Sequence, residues 1–334
     1  MKQHIRTMAY LAHTALLVAA CNGDDTGASS ATETTTGNAT ESSATTNDST
    51  TTGEATNTTE DSTSSASSAT TSTIEPETTT GETDSTTGGA SADAFRFTEM
   101  YVRDPHFYIT PLLGCEDITD KGLLGSPAIN EQFNEAIVAD QDGLLEMSFM
   151  LLFRPLDQAA AEGSFEFATG DCTAPIESTS CDIKAGTESA AGKYANLPDI
   201  CLEPLLGELS PADYEPKPGS TNGPCFRGDP LSFTLDLGDF KLPFVDAEIA
   251  AQYVGDPADG MVEGVLHGFL TEESADTTIL PDDIPLLGGQ PISSVLPGGK
   301  SNCAEHDDRD MHMGISGWWF YIDFKAAHVG YTGE

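Results

Sequence analysis

Between Asn22 and Ala92, 37 of 71 residues are Ser or Thr, 12 are acidic, none is Lys or Arg, and Ile74 is the only large apolar side chain. Such a stretch buries too little apolar surface to offset the entropy of ordering its backbone, so residues 21–92 are expected to form a disordered tether. A flexible chain of that length spans about 45–50 Å root-mean-square, and charge repulsion lengthens it. Any fold must therefore be built from the 242 residues between Asp93 and Glu334, enough for one domain of ordinary to large size. The Ser/Thr-rich composition suits O-glycosylation. The sequons at Asn38, Asn47 and Asn57 read as by-products of threonine richness.

Residues 1–20 have the order of an export signal: Lys2 and Arg6 supply a basic start, Met8 to Ala20 a mostly apolar run, and Ala19 and Ala20 precede Cys21. The apolar run is shorter than the roughly 20 residues needed to cross a bilayer, and His13 and Thr14 interrupt it. Val18-Ala19-Ala20-Cys21 resembles the lipobox of bacterial lipoproteins. The resemblance implies that Cys21 becomes the lipidated first residue of the mature chain, a membrane anchor needing no spanning helix. It also implies, through Asn22 in place of Asp, sorting to the outer membrane or cell surface.

The whole chain carries 54 acidic and 14 basic residues, a formal charge of −40. With the tether acids and the two leader bases set aside, 42 acidic and 12 basic residues remain, so the domain alone carries about −30. That balance argues against a nucleic-acid partner, because phosphate neutralisation draws on basic side chains. It favours solubility, and leaves a protein, a glycan or a cation as the ligand classes to consider.

After Cys21 there are six cysteines, an even number that in an exported chain reads as three disulfides. Six cysteines allow 15 pairings. Proximity suggests Cys172 with Cys181 and Cys201 with Cys225, and elimination leaves Cys115 with Cys303. The domain has no C-x-x-C pair of the kind a zinc-thiolate cluster uses.

The domain reads as mainly β. Aromatics two apart from Phe95 through Phe97 open a strand reaching Arg103, and Leu144 to Phe153 is an apolar run suited to a central buried strand. Further strands are expected at 231–237, 245–254, 261–270 and 318–329, several separated by short acidic or Gly/Pro turns. One helix is marked by Ser126 and Pro127 at its start and by Ile129, Phe133 and Ile137 on one face. The middle, from Cys172 to Gly228, is loop-like and braced by cystines. Strands joined by turns predict an antiparallel sandwich or barrel-like domain with one or two short helices, stabilised by disulfides.

Three constellations carry chemistry. Asp140, Asp142 and Glu146 alternate around Gly143 as oxygen ligands for Ca2+ would, although Val138 falls where a full calcium loop needs an acid. His306, Asp307, Asp310 and His312 combine imidazoles and carboxylates that can ligate a divalent metal, with Asp104 or His106 joining from the other end of the domain. No H-E-x-x-H supports them, and the bland reading is a solvated acidic loop. Trp318 and Trp319 begin four consecutive aromatics, of which one pair enters the core and the other is available as a ligand platform. No P-loop, dinucleotide fingerprint or nucleophile elbow is present. The sequence thus reads as a lipid-anchored envelope protein displaying a β-rich binding or structural module, with a metal-dependent hydrolase on the histidine cluster as the alternative.

Overall fold

The computed structural model describes residues 92–110, 114–123, 125–211, 214–238, 240–282, 284, 287–300 and 306–333. The leader, Cys21, the tether and Cys303 lie outside the described residues. The first strand begins at Asp93, where the low-complexity composition stops.

Eight strands form a closed ring: β1 (Asp93–Asp104), β2 (Phe149–Phe153), β3 (Glu162–Cys172), β4 (Ala190–Leu197), β5 (Cys225–Gly228), β6 (Lys241–Gly255), β7 (Ala258–Thr271) and β8 (Ile315–Tyr331). Each pairs antiparallel with the next in sequence, and β8 returns to pair with β1, so the chain is an up-and-down barrel. Leu231–Asp236 continues β5 along β6, and Ser180–Ile183 bridges the ends of β3 and β8, in parallel with the latter. Closure requires curvature. Irregular register in β1, β6 and β7 supplies it, with Asp246 and Glu263 at positive φ where two of the ladders slip. Irregular pairing between Phe97 and Glu99 also resets the alternation of β1, so Phe95 and Phe97 before it and Met100 and Val102 after it share one core.

That core is aromatic. Phe97 stacks on Phe324 at 4.2 Å, and Phe153 meets Tyr194 and Phe226 edge-on, each at 5.1 Å. Two rings lie over glycines directly across the ladder: Tyr194 opposite Gly163 and Phe324 opposite Gly264. A Cβ on either glycine would sit 2.5–2.6 Å from the ring, which no side chain tolerates.

The outer wall is covered in two patches, each at a disulfide. Ala94, Met150, Leu152 and Ala168 pack with Cys172–Cys181; Ala250, Val265, Phe269, Trp319 and Tyr321 pack with Cys201–Cys225. Every packed cluster among the described residues falls between Ala94 and Tyr331, so the barrel carries a core of its own. Both expected pairings are present. Cys115 is also disulfide-bonded, and its expected partner Cys303 lies outside the described residues. Because β2 is buried on both faces, its five residues read as an unbroken apolar run.

Several expectations need correction. The run from Leu144 to Phe153 is two pieces: Leu144–Leu145 belongs to a small hairpin, and β2 starts only at Phe149. The loop-like middle contains β4 and β5, whose Ala-Ala-Gly-Lys start and short length hide their periodicity. The helix α1 (Ile129–Val138) begins later than Ser126 and Pro127 suggest, with Ala128 at its cap position. The second short helix that the expected fold allowed, α2 (Glu272–Thr277), is present and follows β7.

Beyond Arg96, β1 has no partner in β2, and α1 takes over that edge. Asn130 accepts from the Val102 N–H at 2.8 Å and donates to its carbonyl at 3.0 Å; Asn134, one turn on, does the same for Met100 at 3.0 and 2.7 Å. Their side-chain amides thus replace a neighbouring strand. Asn130→Ala strands a buried donor and acceptor and is expected to cost about 1–3 kcal/mol. Denaturant unfolding of residues 93–334 would show this, and an unchanged midpoint would refute the role given to α1.

Candidate functional site

Where β1 ends, the chain crosses the mouth of the barrel and alternates. Phe107 and Ile109 enter the core, while His106 and Tyr108 join a polar cluster. Asp104 accepts from the Ser210 N–H at 2.7 Å and from the Ser210 hydroxyl. The Phe107 N–H donates to the Thr119 hydroxyl at 2.7 Å, and His106 Nδ1 lies 2.6 Å from Asp117. The His106 ring stacks on Tyr214 with centroids 3.8 Å apart. Tyr214 in turn donates to Asp308 at 2.5 Å, leaving its oxygen to accept from His306 Nε2 at 2.7 Å.

This cluster fastens the cystine-closed loop of residues 201–225 to the end of β1. Beside it, the Tyr321 hydroxyl donates to Glu208 at 2.7 Å. His267 lies between Trp319 and Tyr321, with ring centroids 5.3 and 5.2 Å away. Neither nitrogen of His267 has a hydrogen-bond partner among the described residues, and Glu208 is 3.9 Å from Nδ1. Burial holds this imidazole down to about 4 and therefore neutral at pH 7.

Burial acts on the acids in the opposite direction. It pushes Asp104 up to about 7, aided by the nearby charge of Asp308 and opposed by the two Ser210 hydrogen bonds. Asp310 rises to about 6 from burial and then from Glu208 and Asp308, while Glu208 and Asp308 also rise chiefly through burial. The Tyr214 hydroxyl is raised by burial and by Asp308, so it stays a donor.

The structure does not bring the sequence-predicted metal ligands together. His306 belongs to the Tyr214–Asp308 group, Asp307 is clamped by Arg309 at 2.6 Å, Asp310 accepts from the Trp319 backbone, and His312 lies 3.0 Å from Asp246 against the Trp319 and Phe269 rings. At about 3.3 Å per residue an extended chain sets His306 and His312 up to about 20 Å apart, which scatters a cluster that is compact in sequence. His106 and Asp104 meet His306 only through Tyr214 and Asp308, residues the sequence reading did not select. No spacing signal links them, since Tyr214 and His306 are 92 positions apart. Asp140, Asp142 and Glu146 are exposed on the Leu144–Leu145 hairpin, where Asp140 accepts from the Gly143 N–H at 2.8 Å across a turn with positive φ at Asp142 and Gly143. That geometry is a tight hairpin turn, not an ion-wrapping loop. Among the described residues, no three His, Cys, Asp or Glu side chains group to hold a metal.

His106 oriented by Asp117 has the form of a general base pair, but Tyr214 covers its ring and only 4% of the residue is exposed. The aromatic pair divides as alternation requires: Trp318 enters the core and donates to the Pro297 carbonyl at 2.8 Å, and Trp319 faces outward beneath the 201–225 loop. At 0% and 6% exposure, neither indole offers an open platform.

On the inner side of the same crossing segment lies a cavity of about 120 Å³. Among the described residues eighteen line it and seventeen of these are apolar, including Val102, Phe107, Phe133, Leu242, Val295 and Phe320. An apolar void of that size costs about 3 kcal/mol relative to a packed core, at roughly 24 cal/mol per Å³. No protein-family model, curated protein or solved structure matches the chain.

The buried acids make stability depend on pH. A carboxyl raised by burial favours the fold while protonated, so the contribution of Asp104 is complete below 3.8 and lost as pH rises through about 7. His267 works oppositely, its contribution present above 6.5 and lost as pH falls through about 4. Four raised acids oppose it, and the melting temperature of residues 93–334 is expected to fall between about pH 4 and pH 7. Asp104→Asn should flatten that slope by up to about 1.4 kcal/mol per pH unit. Parallel wild-type and variant profiles would remove Asp104 from the account.

Proposed function

We propose that this chain is an exported, lipid-anchored protein of the cell envelope that presents its barrel as a binding module. Cys21 carries the anchor, and residues 22–92 act as the tether between membrane and barrel. The observation that carries the reading is the oxidised state of the domain: Cys172–Cys181 and Cys201–Cys225 are disulfides, chemistry that belongs outside the reducing cytosol. It agrees with an export-type N-terminus ending in Val18-Ala19-Ala20-Cys21. Attachment through acyl chains on Cys21 is the anchoring mode that the Val18-Ala19-Ala20-Cys21 resemblance implies, and no helix among the described residues is long and apolar enough to cross a membrane.

Binding is favoured over catalysis by the arrangement of the polar groups. The side chains with catalytic potential stack on one another and hold a loop in place, and an enzyme needs them turned toward a substrate. Asn22 after the anchoring cysteine supports delivery to the outer membrane or cell surface. A tether spanning about 45–50 Å suits a module that must reach beyond the membrane plane.

The experiment is expression with Cys21→Ser in a bacterial host that processes lipoproteins. The wild type is expected in the membrane fraction with acyl chains on Cys21 by mass spectrometry, and the variant in the soluble fraction. A wild-type chain recovered from the cytosol with an unmodified Cys21 and free thiols would overturn the reading.

A further inference from the structure

From the end cavity we infer the ligand class of this module: a small, uncharged, apolar molecule, no larger than a single aromatic ring. The inference deepens the binding-module reading and rests on it only in taking the barrel as a receptor.

Size sets the first limit. At about 120 Å³ the cavity is slightly smaller than engineered apolar cavities of about 150 Å³ that stay dry and take up benzene or xenon. It is well below the roughly 300–1,000 Å³ of sites for drug-sized ligands. The aromatic rings of Phe95, Phe97, Phe149, Phe153 and Phe167 fill the barrel body, so a ligand cannot extend along the barrel axis.

Chemistry sets the second limit. Among the described residues Gln132 is the only polar one in the lining, and its amide nitrogen donates to the Pro127 carbonyl at 3.0 Å. A hydroxyl carried inside would have its hydrogen bonds to water stripped and not replaced. A carboxylate fares worse, because it would also approach a domain of net charge about −30.

Access and shape point to a site and not to a packing fault. Ile129, Phe133, Phe240 and Ile284 line the cavity while only half-buried, and Gln132 beside them is exposed, so the lining reaches the surface. The walls come from β1, α1, β6, β8 and the segments around Leu235 and Ile292, and bulky side chains surround a void that one larger residue would fill. Val295 is such a position, 2% exposed on the wall.

The test is thermal unfolding of residues 93–334 with benzene, phenol or hexanoate, together with methyl NMR to locate the site. Benzene at about ten times its dissociation constant is expected to raise the melting temperature by about 3–6 °C. It should also move the methyl signals of Val102, Ile129, Leu242 and Val295. Phenol and hexanoate at the same concentration should do neither. In Val295→Phe the ring occupies the void, and the benzene response should vanish; Val102→Phe is the second filled variant should the first not fold. An equal benzene response in a folded filled variant, or no response and no methyl shifts in the wild type, would overturn the inference. Neither result touches the acylation of Cys21, so failure of the ligand class and failure of the anchored-module reading are separable.

Discussion

The fold depends on one constraint: a ring of strands has no edge, so every strand must find partners on both sides. The demand is sharpest at β1, which has β8 along one side and on the other only the four residue pairs it shares with β2. The remaining edge is satisfied by Asn130 and Asn134, whose amides imitate the donor and acceptor spacing of a strand. Helix α1 is therefore part of the closure, and the apolar face it must carry for that position also forms a wall of the end cavity. A helix held by polar bonds to an edge cannot sink further into the core. That restraint gives a physical reason for a void to persist beneath it.

The segment from Asp104 to Ile109 ties the two unusual features of this end together. Its alternation sends Phe107 toward the cavity and His106 and Tyr108 toward the polar cluster, so one extended stretch has a dry face and a charged one. The charged face is unusual because burial raises Asp104, Asp308 and Asp310 above their ordinary range in a protein already crowded with negative charge. Ser210, Tyr214 and Glu208 reach these acids from the 201–225 stretch, and the Cys201–Cys225 disulfide keeps both ends of that stretch at the wall. A cystine there offsets the cost of docking carboxyls with little water, in the part of the chain least able to form a core of its own.

Legibility in the sequence followed the strength of each local signal. The alternation from Trp318 through Ala326 is unbroken, and the structure sends its even-numbered residues into the barrel core. Strand β1 announced itself by Phe95 and Phe97, but the irregularity that follows shifts its parity in a way no single-period pattern can express. Strand β4 was invisible because its packing is supplied by others: Gly192 lies under Phe165, and the strand contributes little beyond Tyr194 to the core. The candidate site was legible only as a set of residue types. Grouping His306 with His312 by their closeness in sequence fails in extended chain, where six residues cover up to about 20 Å and the two rings meet different partners. The partners that matter, Tyr214 and Ser210, sit in a loop whose sequence carries no periodic signal.

The two outer patches and the end cavity differ in what covers them, and the difference bears on function. Each outer patch is closed by a segment of the chain itself, cross-linked at a disulfide, so its apolar surface is taken up by the fold. Among the described residues the cavity lining passes from fully buried Phe320 to half-buried Phe133 and Ile284, and the helix beside it is held to β1 by its asparagines. The void beneath the helix carries a cost in stability of about 3 kcal/mol. A molecule of the proposed class filling the void would restore the dispersion contacts its walls lack and so offset that cost.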